Sequence, residues 1–253
     1  MFVRLLLEKV LCFRFGGLVI AIPVVMYFFD TFVFVSGGHG SSKLYVFGLV
    51  FLFASLYGAL LPYMGYEGAS NRAIAERLMA REGSGEFIAS LFVSGFVMSF
   101  AAGAIAVLNG ISFFSLQLDL LRVCISCIAC AFGAAGAAAI VHVISWSAGL
   151  RTRFVPATVL FVLAGLAGWY FDIRVWNGEG LTFGSLLGTI RVLSFPHWIR
   201  VMLTGSLEGV SPQSCAYYGA ALGGLGLVGF SLLRAQHFIR GTKSATERHK
   251  SNQ

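Results

Sequence analysis

Six long apolar stretches dominate this chain, and each holds about 18 to 25 residues. Because a helix rises about 1.5 Å per residue, a stretch of this length crosses a hydrocarbon core of roughly 30 Å. The chain is 57% hydrophobic and only 11% charged, which agrees with burial in lipid. We therefore predict an all-α, polytopic integral membrane protein with six transmembrane helices. The expected spans are 17–36, 44–64, 88–109, 121–147, 154–171 and 216–236.

The segments beside the spans complete one membrane domain over 1–253, because six spans leave little chain for a soluble domain. Residues 1–16 are expected to form an interfacial helix or, alternatively, a simple extension of span one. The longer connections are a cytoplasmic loop at 65–87 and an external segment at 172–215. A cytoplasmic tail at 237–253 ends the chain.

Lys and Arg decide the orientation, since they collect on the cytoplasmic side of membrane spans. With the N-terminus in the cytoplasm, 13 of the 18 Lys and Arg residues lie inside and five lie outside. We therefore expect both termini in the cytoplasm, and a location in the inner (cytoplasmic) membrane of a bacterium. The same bias accounts for the formal net charge of +7 without a nucleic-acid partner.

The cytoplasmic loop contains a helix-prone segment from Asn71 to Glu82, whose apolar residues recur at i,i+4. Ser70 or Asn71 can cap its start, and Gly83 can end it. A short amphipathic helix between two spans needs a surface for its apolar side. That surface is either the lipid headgroup layer or the groove of a cytoplasmic partner. The loop is nearly neutral overall, which favours a protein partner over anionic lipid.

The external segment holds two moderately apolar pieces, 181–195 and 197–207, separated by Pro196. Each piece is too short to span the bilayer, and Pro196 breaks a continuous helix. We predict a re-entrant helical hairpin between spans five and six, and we assign Pro196, His197 and Trp198 to it. Irregular backbone at that depth must be sheltered by protein or by water.

Motifs for catalysis or cofactor binding are sparse. The GTKS sequence at 241–244 lacks the frame of a nucleotide-binding loop, so any ATP must bind another polypeptide. Asp30 is the main acidic residue within the spans and lies in the outer third of span one, which argues against ion coupling. His142 in span four leaves an intramembrane enzyme as an alternative. We expect no catalytic residue, cofactor or metal in this chain.

Span four is rich in small residues. Gly133 and Gly136 predict close helix approach, within one chain or between two. Three cysteines follow part of the spacing of an iron–sulfur ligand run, but the fourth cysteine and its proline are missing. We expect the three to pack as small hydrophobes: Cys124, Cys127 and Cys130.

This layout resembles that of the type-2 ABC exporter permeases. The shared features are six spans, an interfacial N-terminal helix, a charged amphipathic helix between spans two and three, and a broken hydrophobic hairpin before span six. The sequence GYEGASNRAIAERLMAREGSGEFIASLFVSG at 65–95 is similar to that family's loop leading into span three, but lacks the proline of the usual Leu-x-x-x-Pro. The sequence SFPHWIRVMLTGSL at 194–207 is similar to the family's proline-containing external helix.

The resemblance implies the permease subunit of an ATP-driven exporter that moves an amphipathic or lipid-like solute. It implies that 71–82 is a coupling helix seated in a separate cytoplasmic ATPase subunit, which binds ATP and Mg²⁺. Two permease protomers, identical or merely similar, would enclose the path in contact with membrane lipid. The expected polar contacts to the ATPase are Arg72, Glu76, Arg77, Arg81 and Glu82. A secondary carrier or immunity-type membrane protein that works without an ATPase is the alternative.

Overall fold

Five helices account for most of the part of the chain that the structure describes. The computed structural model describes residues 15–33, 40–65, 84–115, 120–147, 198–199, 202 and 212–251, and all regular structure in these ranges is helical. The helices are α1 (Gly16–Phe28), continued by a π-helical turn (Phe29–Val33), α2 (Gly40–Gly65), α3 (Ser84–Phe114), α4 (Leu120–Ser147) and α5 (Pro212–Ser251).

Four of these helices are long and apolar enough to cross a membrane by length and composition: the crossing segments are Val46–Met64, Gly85–Phe114, Val123–Ile144 and Cys215–Gln236. The apolar helix Gly16–Phe32 is shorter and lies at the lower limit of about 17 residues for a span. The prediction of an all-helical integral membrane protein is confirmed, and helices occupy five of the six expected spans. The expected span 154–171 and most of the expected interfacial helix 1–16 lie outside the described residues.

Two helices extend beyond the predicted spans. α3 begins at Ser84, inside the predicted loop, and ends at Phe114, where Ser115 adopts a left-handed φ of 54° that closes the helix. α5 continues to Ser251, so the predicted tail is helical up to that residue. Apolarity limits the length of a span but not of a helix, which continues into water until a breaker or a cap stops it.

α4 occupies the centre of the described bundle. All residues from Gly133 to Ala139 are buried, on every side of the helix, and α4 packs on α2, α3 and α5. The small side chains of this stretch let three neighbouring helices approach closely. Phe132 adds edge-on ring contacts to Phe92 and Phe96 of α3, with centroids 5.5 and 6.2 Å apart. The predicted role of span four in close packing is therefore realised within the chain.

α4 and α5 touch backbone to backbone. A methyl group at Gly136 would collide with the carbonyl oxygen of Leu225, and one at Gly229 would lie 2.6 Å from the Cα of Gly136. One turn earlier on both helices, a methyl group at Gly133 would lie 2.5 Å from the side chain of Leu222. Residues with higher numbers on α4 contact residues with higher numbers on α5, so the two helices run parallel.

α2 and α3 make a second close contact, which is antiparallel. A methyl group at Gly58 would lie 2.6 Å from the carbonyl oxygen of Met98. One at Gly103 would lie 2.9 Å from the ring of Phe51. Residues with lower numbers on α2 contact residues with higher numbers on α3, so the two helices run antiparallel. This is the direction expected for two consecutive spans.

Two ring contacts relate the remaining helix directions. The rings of Tyr27 and Phe113, near the C-terminal ends of α1 and α3, have centroids 6.1 Å apart. The rings of Tyr63 and His142, near the C-terminal ends of α2 and α4, have centroids 4.9 Å apart. α1 and α3 thus run one way, whereas α2, α4 and α5 run the other way. We call the end of the bundle that holds Tyr27 the Asp30 end, and the opposite end the His142 end.

We predict that Gly229→Ala lowers the thermal midpoint of the detergent-solubilised protein. The added methyl group meets the backbone of Gly136, and overpacking of this kind costs about 1–3 kcal/mol. Gly224→Ala is the matched control, because Gly224 lies on the same helix with open space around its Cα, where alanine is the better helix former. Equal midpoints in a size-exclusion melting assay would contradict the close contact of α4 with α5.

Candidate functional site

The structure describes one of the eight residues that the sequence analysis assigned to sites. Outside the described ranges lie Arg72, Glu76, Arg77, Arg81, Glu82, Pro196 and His197. Trp198 is half-buried and packs against the hydrophobic core, and its neighbours Ile199 and Met202 are buried. All three are helical. We call these three residues the pre-α5 segment.

The pre-α5 segment docks on α4 through its backbone. The Ser126 hydroxyl donates a hydrogen bond to the carbonyl oxygen of Met202, with a donor–acceptor distance of 2.8 Å. The Cys130 thiol donates to the carbonyl oxygen of Ile199 at 3.8 Å. Ser126 and Cys130 stand one turn apart on the same face of α4. The side chain of Met202 also lies against Gly219, so the segment contacts both α4 and the first turns of α5.

The docking contact lies beside the apolar part of α4, at the depth of the expected span. Cys130 stands seven residues beyond Val123, where the apolar part of α4 begins, and this corresponds to about 10 Å along the helix. A backbone carbonyl at that depth finds no bulk water, and an unsatisfied polar group in hydrocarbon costs several kcal/mol. Ser126 and Cys130 supply donors there. The two side chains therefore provide hydrogen-bond donors for backbone carbonyl oxygens on an otherwise apolar helix.

Sequence reasoning missed this role of Ser126 and Cys130. The available signal was the i,i+4 spacing of two weak donors on one face of an apolar helix. Of the three cysteines in span four, Cys127 and Cys130 are buried and Cys124 is exposed. In the described ranges, no group of three or more His, Cys, Asp or Glu side chains could hold a metal ion.

Four buried hydroxyl groups lie on α2 and α3. Their oxygen atoms have no hydrogen-bond partner among the described residues: Ser55 Oγ, Tyr63 Oη, Ser94 Oγ and Ser99 Oγ. Ser55 and Ser99 stand at close contacts between the two helices, beside Gly103 and Gly58. Leaving such a group unpaired costs about 1–3 kcal/mol. By contrast, Ser112 at the Asp30 end of α3 donates to the carbonyl oxygen of Leu108 in its own helix, at 3.0 Å. The α2–α3 contact thus holds polar groups that this arrangement of the helices leaves unsatisfied.

His142 packs as a ring between two helices. Its side chain is 6% exposed, and its plane is tilted by 40° from that of Tyr63. A hydrolase would need a nucleophile within hydrogen-bond reach of this imidazole. The side chains of Ser145 and Ser147, the nearest hydroxyls in sequence, lie outside the described ones. The enzyme alternative therefore stays a prediction.

We predict that Ser126→Ala loosens the pre-α5 segment. The variant leaves the carbonyl oxygen of Met202 without this donor, at a cost of about 0.5–2 kcal/mol. Amide hydrogen exchange of peptides covering Met202 should accelerate by roughly 2- to 30-fold. Ser112→Ala is the control, because that hydroxyl is exposed and donates to the carbonyl oxygen of Leu108 within its own helix. Unchanged exchange in Ser126→Ala would show that the hydrogen bond does not hold the segment.

Comparison with known proteins adds no relative. No protein-family model, curated protein or solved structure matches the chain. The resemblance to the type-2 ABC exporter permeases therefore rests on the order of the spans and loops and on two local sequences. Three features of the geometry bear on the function: the directions of the helices, the docked pre-α5 segment and the buried hydroxyls of Ser55 and Ser99 between α2 and α3.

Proposed function

We propose that the chain is the non-catalytic permease subunit of an ATP-driven exporter of the ABC class. It moves an amphipathic or lipid-like solute, while ATP and Mg²⁺ bind a separate cytoplasmic subunit. The observation that carries the proposal is the docking of the pre-α5 segment against α4 and α5 at membrane depth. A segment of this kind just before the last span belongs to the layout of the type-2 exporter permeases.

The directions of α4 and α5 support a six-span topology. Two parallel helices that both cross the membrane require an odd number of crossings in the chain that joins them. Between Ser147 and Pro212 only 154–171 is an apolar stretch of suitable length, since the pieces on either side of Pro196 are too short. One crossing at 154–171 brings both termini to the His142 end. The distribution of Lys and Arg assigns that end to the cytoplasm, in a membrane of the bacterial inner-membrane type.

The depth of the pre-α5 segment supports the re-entrant hairpin. α4 and α5 both begin at the Asp30 end, and Pro212 opens α5 there. The chain before Pro212 nevertheless reaches Cys130, about 10 Å inside the apolar part of α4. A re-entrant hairpin requires a segment that reaches this depth and returns to the same end, so these contacts support the proposed hairpin. The hydroxyl of Ser126 and the thiol of Cys130 provide the shelter that its backbone needs.

The coupling mechanism follows from the connection between α2 and α3. α2 ends at Gly65 and α3 begins at Ser84, so the loop with the coupling helix 71–82 leaves the bundle at the His142 end. Force applied to this loop acts directly on the α2–α3 contact. The hydroxyls of Ser55 and Ser99 at that contact have no partner among the described residues, and they would gain partners if the helices shifted or if a polar part of the solute passed between them. The helix contact next to the coupling loop is thus the one that holds hydroxyl groups able to accept new hydrogen-bond partners.

A second permease protomer, identical or similar, completes the proposed transporter. Only 22% of the apolar span of α5 is buried by the described residues, against 72% of the span of α2. Tyr217, Leu227 and Val228 are each more than half exposed on α5. This face is available to a neighbouring protomer or to membrane lipid.

Charge reversal of Arg77 and Arg81 together tests the proposal. We expect the wild-type protein to purify with a subunit that carries a nucleotide-binding loop and hydrolyses ATP. The double variant should retain at most about one tenth as much of that subunit as the wild type does. The reversed charges would repel the acidic groups of the ATPase that the two arginines are proposed to contact. The measurement is the ATPase activity recovered per mole of tagged permease.

Arg234→Glu is the matched control for this experiment. Arg234 is exposed on α5, distant in sequence from the coupling loop, and its reversal should leave the recovered ATPase activity unchanged. Full recovery of the ATPase subunit by the Arg77 and Arg81 double variant would refute the coupling helix. Transport by the purified chain alone, without any ATP-hydrolysing partner, would refute the exporter proposal in favour of a secondary carrier.

A further inference from the structure

A groove of about 450 Å³ lies between α1 and α2. Its walls are almost entirely apolar, with Ala21 and Val25 on α1 facing Val50 and Phe53 on α2. The volume falls within the range of about 300–1,000 Å³ that is typical of small-molecule sites. Neither the coupling helix nor the pre-α5 segment accounts for this groove. In a membrane, an open apolar groove of this size is within reach of lipid acyl chains.

A charged pair stands at the Asp30 end of the groove. The Lys43 ammonium lies 3.1 Å from the Asp30 carboxylate, and both side chains remain about 30% exposed. Asp30 directly follows Phe29, which lines the groove, and Lys43 stands one helical turn before Val46, which lines it from α2. The apolar groove therefore ends beside an ion pair, with one positive and one negative group just before the apolar span of α2 begins at Val46. This is the charge pattern that complements a zwitterionic lipid headgroup.

We propose that the groove holds one acyl chain of a bilayer phospholipid whose headgroup carries a phosphate and an ammonium group. The phosphate lies beside Lys43 and the ammonium beside Asp30, while the chain runs between α1 and α2. Lipid tails are as apolar as the groove, so the chain gains little free energy by leaving the bilayer. The charged pair therefore supplies the preference for this lipid, and the groove supplies its position. The proposal does not depend on the exporter function.

Photocrosslinking of the full-length protein in maltoside micelles tests the site. The probe is phosphatidylethanolamine with a diazirine in one acyl chain, and the comparison probe is diacylglycerol with the same diazirine chain. We expect the phosphatidylethanolamine label on Val25, Val50 and Phe53, at least about fivefold above the label on Ile20, which is 66% exposed outside the groove. Diacylglycerol should label the groove severalfold less. Uniform labelling, or equal yields from both probes, would overturn the proposal.

Two variants separate the groove from the charged pair. Ala21→Trp fills the groove and should reduce groove labelling to background, whereas Ile20→Trp on the adjacent, outward position should leave it unchanged. Lys43→Gln removes the phosphate partner and should lower the phosphatidylethanolamine yield about fivefold without changing the diacylglycerol yield. Size-exclusion profiles confirm that each variant is folded. Undiminished phosphatidylethanolamine labelling of the groove in Ala21→Trp or in Lys43→Gln would contradict the site.

Discussion

Close packing of α4 on α5, backbone against backbone, organises the described bundle. Within a membrane, helices gain little from hydrophobic burial, and close packing of small residues takes over as the main source of association. Gly136, Gly226 and Gly229 let the two helices meet without intervening side chains. Because the helices are parallel, the proposed six-span topology needs one crossing by the chain that joins them. The contact also sets α5 beside the face of α4 on which Ser126 and Cys130 stand.

The two close helix contacts of the bundle differ in character. The α4–α5 contact is closed by glycines, and it holds the pre-α5 segment through two donors to its backbone. The α2–α3 contact is also close, but the hydroxyls of Ser55 and Ser99 find no partner there among the described residues. A fully satisfied contact resists rearrangement, whereas an unsatisfied one gains free energy if a shift or a ligand supplies partners. The second contact joins the loop that we assign to the ATPase, which suits a bundle with one fixed side and one adjustable side.

The sequence was sufficient to predict the helices but not the contacts between them. Apolar length alone decides which segments can cross a bilayer, so five expected spans coincide with helices. The ends of α3 and α5 could not be predicted in this way, because both helices continue beyond their apolar regions. The bonds of Ser126 and Cys130 join positions 76 and 69 apart, and such pairing depends on how helices pack, which no local pattern encodes. The coupling residues around Arg77 and the hairpin residues Pro196 and His197 stay predictions.

The side of the membrane on which the chain lies before and after the 148–211 region shows whether α4 and α5 are parallel in the membrane. An epitope inserted after Gly149 and, in a second full-length variant, after Gly209 can be probed with antibody on intact and on permeabilised spheroplasts. The parallel packing of α4 and α5 predicts that the epitope at Gly209 is reached in intact cells, while the one at Gly149 is reached only after permeabilisation. Exposure of both epitopes on the same side would contradict the parallel arrangement, and with it the six-span permease.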